Sequence, residues 1–271
     1  MNIIDLDDKH LEIFRCCLED WSDEMKEAGP HRADWIRHMK DRGLGVKLAV
    51  DGDKTLGFIQ FVPIEQGFAQ GRDAFFVHCI WVHGHKNKGV GDQHGKGIGR
   101  ALLRAAEDEA KSRGAKSMVV WGLSLPFWMK ASWFRKQGYK NADKLSGLVL
   151  LWKPFVPEAS PPKWIREKKK PEAGRGVVDV TALRHGWCSS GNITFERAKR
   201  AAAEFGDKVR WREIGTLDRE TYLEWGISEG IFVDGKNIRT GPPLSYDKIR
   251  RKIAKRVKKL PSKKRTPEVQ G

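Results

Sequence analysis

An apolar strand that runs straight into a glycine-rich turn leaves this chain few folds to choose from. Ala74–Val82 reads Ala-Phe-Phe-Val-His-Cys-Ile-Trp-Val, and six glycines follow between Gly84 and Gly99. A strand with so few polar residues is buried on both faces, which places it centrally in a sheet. Beyond the turn, Leu102, Leu103, Ala106 and Ala110 recur at helical spacing as far as Gly114. Strand, glycine turn and helix together suit a phosphate. Glycines let the backbone approach closely, and the free amides of a helix N-terminus face an anion. The same pattern also suits a tight helix entry that binds nothing. The Rossmann spacing is absent, and so is the Lys-Ser/Thr pair of a Walker loop.

The flanking sequence fills in a mixed α/β (α+β) body. Ile3–Leu6 is a short apolar strand, and Asp7-Asp8 can cap the helix after it. Leu11, Phe14, Cys17 and Trp21 predict that helix near 8–19, and Trp35 with Met39 a second near 31–42. Val46–Val50 and Thr55–Pro63 form a hairpin about Asp51-Gly52-Asp53. Ser117–Leu123 is a strand, Phe127–Lys136 a helix ending at Gly138, and Leu148–Trp152 a last strand.

Composition then divides the chain. Pro154–Gly176 carries prolines and the charged run Lys163–Lys170, which reads as a linker over 156–175. It separates a body of residues 1–155 from a smaller one of residues 176–258. The formal charge is +16, but residues 1–155 carry only +4 (24 basic, 20 acidic) and residues 248–271 carry +10 (11 basic, 1 acidic). The excess is therefore a basic tail, 259–271 with the helix face before it, able to touch nucleic acid weakly and without sequence choice. No apolar run approaches the ~20 residues a membrane helix needs. Four cysteines do not make a disulfide scaffold, and the acidic start lacks the shape of a signal peptide, so a cytoplasmic location is expected. His83, His85 and His94 with Cys79 match no common zinc spacing, and no metal is expected.

In the smaller body, Gly176–Leu183, Val209–Ile214, Gly230–Val233 and Lys236–Arg239 read as strands. Phe195–Phe205 (capped by Thr194), Asp218–Trp225 and Tyr246–Val257 read as helices.

The order of elements in the first body resembles the GNAT N-acetyltransferases. The family signature Arg/Gln-x-x-Gly-x-Gly/Ala reads here His94-Gly95-Lys96-Gly97-Ile98-Gly99, followed by Arg100-Ala101-Leu102-Leu103. Trp133-Phe134-Arg135-Lys136-Gln137-Gly138-Tyr139 is similar to the family's Phe-Tyr-x-x-x-Gly-Phe. The resemblance implies an acetyl-CoA site and transfer of the acyl group to an amine acceptor. Pantetheine would pair with the strand at Ile80, Trp81 and Val82. The pyrophosphate would rest on His94, Gly95, Lys96, Gly97, Ile98, Gly99 and Arg100. A strand amide would polarise the carbonyl, and the neutral amine would attack the thioester directly. His78 is the candidate general base, with a packed core histidine as the plainer reading, and Cys79 alternates to the other strand face. Three departures stand out. His94 replaces Arg or Gln, His83–Gln93 is longer than usual, and Phe134 stands where many members carry the Tyr that protonates the thiolate. A catalytically weak CoA sensor is the alternative that Phe134 raises, and a nucleic-acid-associated protein acting through the tail is a third.

The second body resembles the thioredoxin-like fold, and the pairing resembles acetyltransferases with a YoaP-like C-terminal domain. Trp187-Cys188 opens its first helix, but Gly191 stands where a dithiol motif needs its second cysteine. A dithiol oxidoreductase is thus excluded in favour of a monothiol at Cys188, or of a module used for packing or for binding a protein partner.

Overall fold

The computed structural model describes residues 1–125, 128–238 and 243–261. The chain forms two units: Met1–Arg166 with Gly186–Ser189, and Glu167–His185 with the described residues from Ser190 onward. Among the described residues, no helix is long and apolar enough to cross a membrane.

The first unit runs β1 (Asn2–Asp5), α1 (Leu11–Arg15), α2 (Asp23–Lys40), β2 (Gly45–Asp51), β3 (Lys54–Pro63), β4 (Ala69–Gln70), β5 (Ala74–Val82), α3 (Ile98–Ser112), β6 (Ser117–Leu123), α4 (Ala131–Lys136), β7 (Lys140–Leu145), β8 (Leu148–Pro154) and β9 (Lys163–Trp164). Seven strands form one sheet in the order β1-β2-β3-β5-β6-β8-β7. The β5–β6 pair is parallel, and every other neighbouring pair in this sheet is antiparallel. The apolar β5 is central, as its composition requires. One sheet face packs on α3, where Phe61, Phe75, Val77, Leu102, Leu103, Ala106 and Phe134 share a core. On the other face Phe14 meets Phe58 edge-on at 5.0 Å. Trp35 of α2 is fully buried there, a burial that contributes on the order of 3 kcal/mol.

Several elements differ from the sequence reading. The helix expected over 8–19 is a 3-10 turn at Asp8–His10, capped by Asp7, followed by five α-helical residues. It stops because Cys17 and Leu18 take left-handed φ of 56° and 63°. Leu18 N then donates to Ile13 O (2.9 Å) and Cys17 N to Phe14 O (3.0 Å), a helix-closing pair usually built on glycine. The second helix begins eight residues earlier than the expected 31, capped by Ser22, whose hydroxyl accepts from Met25 N. The helix expected over 127–136 is confined to Ala131–Lys136, and Phe127 lies outside the described residues. β7 has no counterpart in the sequence reading, since half-exposed Lys140–Leu145 lacks an apolar run.

Part of the stretch read as linker is bound to this unit. β9 pairs with β4, Ile165 N donates to Phe68 O (3.1 Å), and Trp164 N donates to Asp143 Oδ2 (3.0 Å). Arg166 reaches both Asp143 oxygens, at 2.9 and 3.0 Å. These contacts hold the Asp143 carboxyl below its usual range, chiefly through the Trp164 amide.

The second unit runs β10 (Val178–Arg184), α5 (Ser189–Ala203), β11 (Val209–Gly215), α6 (Arg219–Trp225), β12 (Gly230–Val233), β13 (Lys236–Asn237) and α7 (Tyr246–Val257). Its sheet order is β11-β10-β12-β13, with β10 parallel to β11 and antiparallel to β12. Ile249 and Ile253 of α7 are fully buried against Val180, Ala198 and Ile231. Thr194 does not cap α5, which starts at Ser189; its hydroxyl donates instead to Ser190 O. Arg239 of the expected last strand and tail residues 262–271 lie outside the described residues.

Candidate active site

The central strand opens where chemistry would need it to. β5 and β6 pair only from Ala74↔Ser117 to Val77↔Val120, then diverge. The divergence starts at a bulge in β5. Gln60 of β3 faces Cys79 and Phe61 faces Val77, so His78 is the extra residue of the bulge. Trp121 Nε1 donates to His78 O at 2.8 Å and so covers the first carbonyl of the opened edge. His83 N donates back to Leu56 O of β3. Backbone groups alternate along a strand, so Trp81 also turns toward β3 while Ile80 and Val82 turn their amides and carbonyls to the open edge. Of the three strand residues singled out from sequence, two therefore present free backbone.

The bulge corrects one expectation. It places His78 and Cys79 on the same sheet face, whereas plain alternation separates them. Val77, Ile80 and Val82 pack toward α3. His78 meets Trp35 of α2 at 5.6 Å, and the Cys79 thiol feels Cys17 and Arg32. Burial pushes that thiol well above its ordinary value. His78 is 0% exposed, with its ring set against Trp35, Phe68 (4.7 Å), Phe76 (5.4 Å) and Trp187 (5.4 Å). A general base must reach the proton it removes. Set among aromatic rings, His78 packs in the manner of the plainer reading, a core histidine.

Past Val82 the chain makes a closed loop. Gln93 N donates to His83 O (2.8 Å), so residues 84–92 leave and return across one hydrogen bond. His83 Nδ1 donates to Gly91 O (2.7 Å), and His85 pairs with Glu19 (3.1 Å). The long insertion therefore does not displace the glycine turn from the strand end. In that turn Gly97 has φ +79° and a Cβ there would meet open space, so glycine serves the left-handed backbone alone. Gly97 caps α3 without a side chain, and the first helical bond is Ala101 N to Gly97 O (3.1 Å). The amides of Ile98, Gly99 and Arg100 precede it at the positive end of a 15-residue helix. Gly95, Lys96 and Arg100 are exposed beside them. His94 is tied to Asp92: its amide donates to the carboxylate (3.0 Å) and keeps that group below its usual range.

Phe134 stands where the resemblance expects a tyrosine. Phe134 is fully buried between Trp133 and Tyr139. Tyr139 is the first unit's only tyrosine, and its hydroxyl donates to Glu107 Oε1 (3.0 Å). Burial and that carboxylate push the phenol well above its ordinary value. Cys188, the sequence's candidate thiol, is half-buried. Among the described residues, no group of three or more His, Cys, Asp or Glu is arranged to hold a metal ion. Sequence reading missed Arg32 altogether: a charged residue in a helix gives no sign that it is 1% exposed.

A parallel strand pair that splays beside a glycine-entered helix defines the class of this unit as a mixed α/β fold. Residues 8–126 match the family model described as Acetyltransferase (GNAT) family. No curated protein matches the sequence. Among solved structures, the chain is similar to a GNAT family acetyltransferase from Brucella melitensis in complex with acetyl-CoA. That pair shares 19% identity over 60% of this chain and 94% of that one, TM-score 0.41. An aminoglycoside 6'-N-acetyltransferase from Enterococcus faecium shares 18% over 59% and 100%, TM-score 0.42. The PaiA N-acetyltransferase from Thermoplasma acidophilum, in complex with coenzyme A, shares 16% over 57% and 100%, TM-score 0.40.

Proposed function

We propose that the chain is an acetyl-CoA-dependent N-acetyltransferase that passes the acetyl group directly to an amine. The observation that carries this is the opened β5 edge leading to the bare N-terminus of α3, on a segment matched by the acetyltransferase family model. Ile80 and Val82 offer backbone groups to pantetheine, and the Ile80 amide is the donor to the thioester carbonyl. The turn from His94 to Arg100 takes the pyrophosphate on its amides, with Lys96 and Arg100 adding charge. Proton removal falls to water, since His78 is sealed. Thiolate release proceeds without a tyrosine acid, since Phe134 lacks a hydroxyl and Tyr139 is engaged.

We read the second unit as thioredoxin-like, which its strand order and its parallel β10–β11 pair support. With Gly191 in place of a resolving thiol, it serves packing or a protein partner. The cytoplasm remains the proposed location.

Acetyl-CoA added to the full chain should raise its melting temperature, as any ligand of the native state does. Thiol release from acetyl-CoA over an amine panel should accompany it. No thermal shift at millimolar acetyl-CoA refutes the reading. A shift without thiol release marks a sensor instead.

A further inference from the structure

The most unusual charge in the molecule is Arg32. It lies on α2, is 1% exposed, and among the described residues has no carboxylate within ion-pair reach. Its guanidinium sits 4.2 Å from the Phe14 ring centroid and 4.8 Å from that of Phe58. One terminal nitrogen donates to Gln60 Oε1 (2.7 Å) and the other to Ser189 Oγ (3.2 Å), both neutral acceptors. Nε is buried and has no partner. Ring faces and amide oxygens soften the cost of burying a cation but do not neutralise it. The thiols Cys17 and Cys79 also feel the guanidinium, and burial pushes both upward against the pull of Arg32, so neither supplies an anion at neutral pH.

The position gives the charge a use. Gln60, which holds Arg32, is the strand partner of Cys79, next to the bulged His78 and one residue from the Ile80 amide. A group bound to Arg32 would lie beside the acyl carbonyl, on the sheet face opposite α3. The thiol that touches the guanidinium, Cys17, belongs to the left-handed pair Cys17-Leu18 between α1 and α2.

We propose that Arg32 is the binding residue for a carboxylate carried by the acceptor, making the substrate class an amine that also bears a carboxylate, such as an amino acid. This rests on the acyltransferase reading for the word acceptor, but the anion site stands on Arg32 itself. A guanidinium–carboxylate pair is charge-assisted and can be bidentate, a recognition that a neutral amide cannot reproduce.

The test uses the full chain and a matched pair of probes, N-acetylglycine and N-acetylglycinamide, read by thermal shift with and without coenzyme A. The acid should bind roughly tenfold tighter than the amide, a preference of about 1.4 kcal/mol. Gln60→Glu then supplies the missing anion from within, at the loss of the 3.3 Å bond to Trp187 O. That variant should lose the preference for the acid while keeping the acetyl-CoA shift. Arg32→Lys should retain part of the preference and Arg32→Gln none. Equal shifts from acid and amide in the unaltered chain overturn the proposal, and so does a preference that survives Gln60→Glu. If acetyl-CoA itself gives no shift, the acyltransferase reading falls, while the acid–amide contrast still decides whether Arg32 holds a carboxylate.

Discussion

Replacing Tyr139 by Phe separates a structural tyrosine from a catalytic one. Its hydroxyl makes one bond, 3.0 Å to Glu107 Oε1, and Glu107 keeps a second partner in Lys153 Nζ at 2.8 Å. A hydrogen bond to a charged group contributes about 1.5–3 kcal/mol, and the retained lysine puts this one at the low end, about 1.5 kcal/mol. At roughly 2–4 °C per kcal/mol for a unit of this size, melting should fall by about 3–6 °C. There is a pH signature as well. Burial and Glu107 hold the folded-state phenol well above its unfolded value. The stability this confers is full below about pH 10 and is lost as pH climbs past it, so Tyr139→Phe should flatten the alkaline limb of the stability curve. Thiol release from acetyl-CoA, measured below the new melting point, should be unchanged. A tenfold loss of turnover with melting unaltered would refute this reasoning, because it would mean that the hydroxyl leaves Glu107 to protonate the thiolate.

The same geometry sets three further outcomes. His78→Phe keeps a ring among rings, so the pH–rate profile should keep its shape. Loss of a titrating limb in a folded variant would restore the base role. Gly97→Ala puts a Cβ on a left-handed residue in open space, which costs about 1–2 kcal/mol in backbone strain. Its KM for acetyl-CoA should rise several-fold while the KM for the amine holds; equal effects on both would mean the turn does not bind the cofactor. In the second unit, Asp179 is buried and held low chiefly by the Arg210 fork at 2.6 and 2.8 Å. Arg210→Gln should destabilise the unit, with the half-exposed Arg212 at 3.6 Å compensating in part. The loss should be measured by denaturation above pH 5. It should shrink as acid protonates Asp179, and a loss independent of pH would be inconsistent with the ion pair.

Element identity is legible in this chain wherever one face is uniformly apolar. Ala74–Val82, Ser117–Leu123 and Tyr246–Val257 have the bounds their patterns indicate, because burial of a whole face leaves no other register. Elements set by backbone conformation or by distant partners are not legible. No local signal marks Cys17 and Leu18 as left-handed, since neither residue type favours that region. β7 is held by its ladder to β8, and β9 by Asp143 and Phe68, partners the local sequence does not contain.

The site divides along the same line. Glycine spacing announces the turn into α3, because only glycine gives φ +79° cheaply. The roles of side chains escape the sequence for a single reason, the bulge at His78. One extra residue moves His78 and Cys79 to one face, turns Ile80 and Val82 to the open edge, and brings Gln60 opposite Cys79, within reach of Arg32. Strand alternation, the only rule available before the ladder is known, separates His78 from Cys79 and says nothing of Gln60 or Arg32. The bulge sets His78 into aromatic packing. It exposes backbone polarity on one side of the strand and a buried cation on the other. If the proposed transfer runs on such a site, with no side-chain base, its rate should track the fraction of acceptor that arrives as free amine.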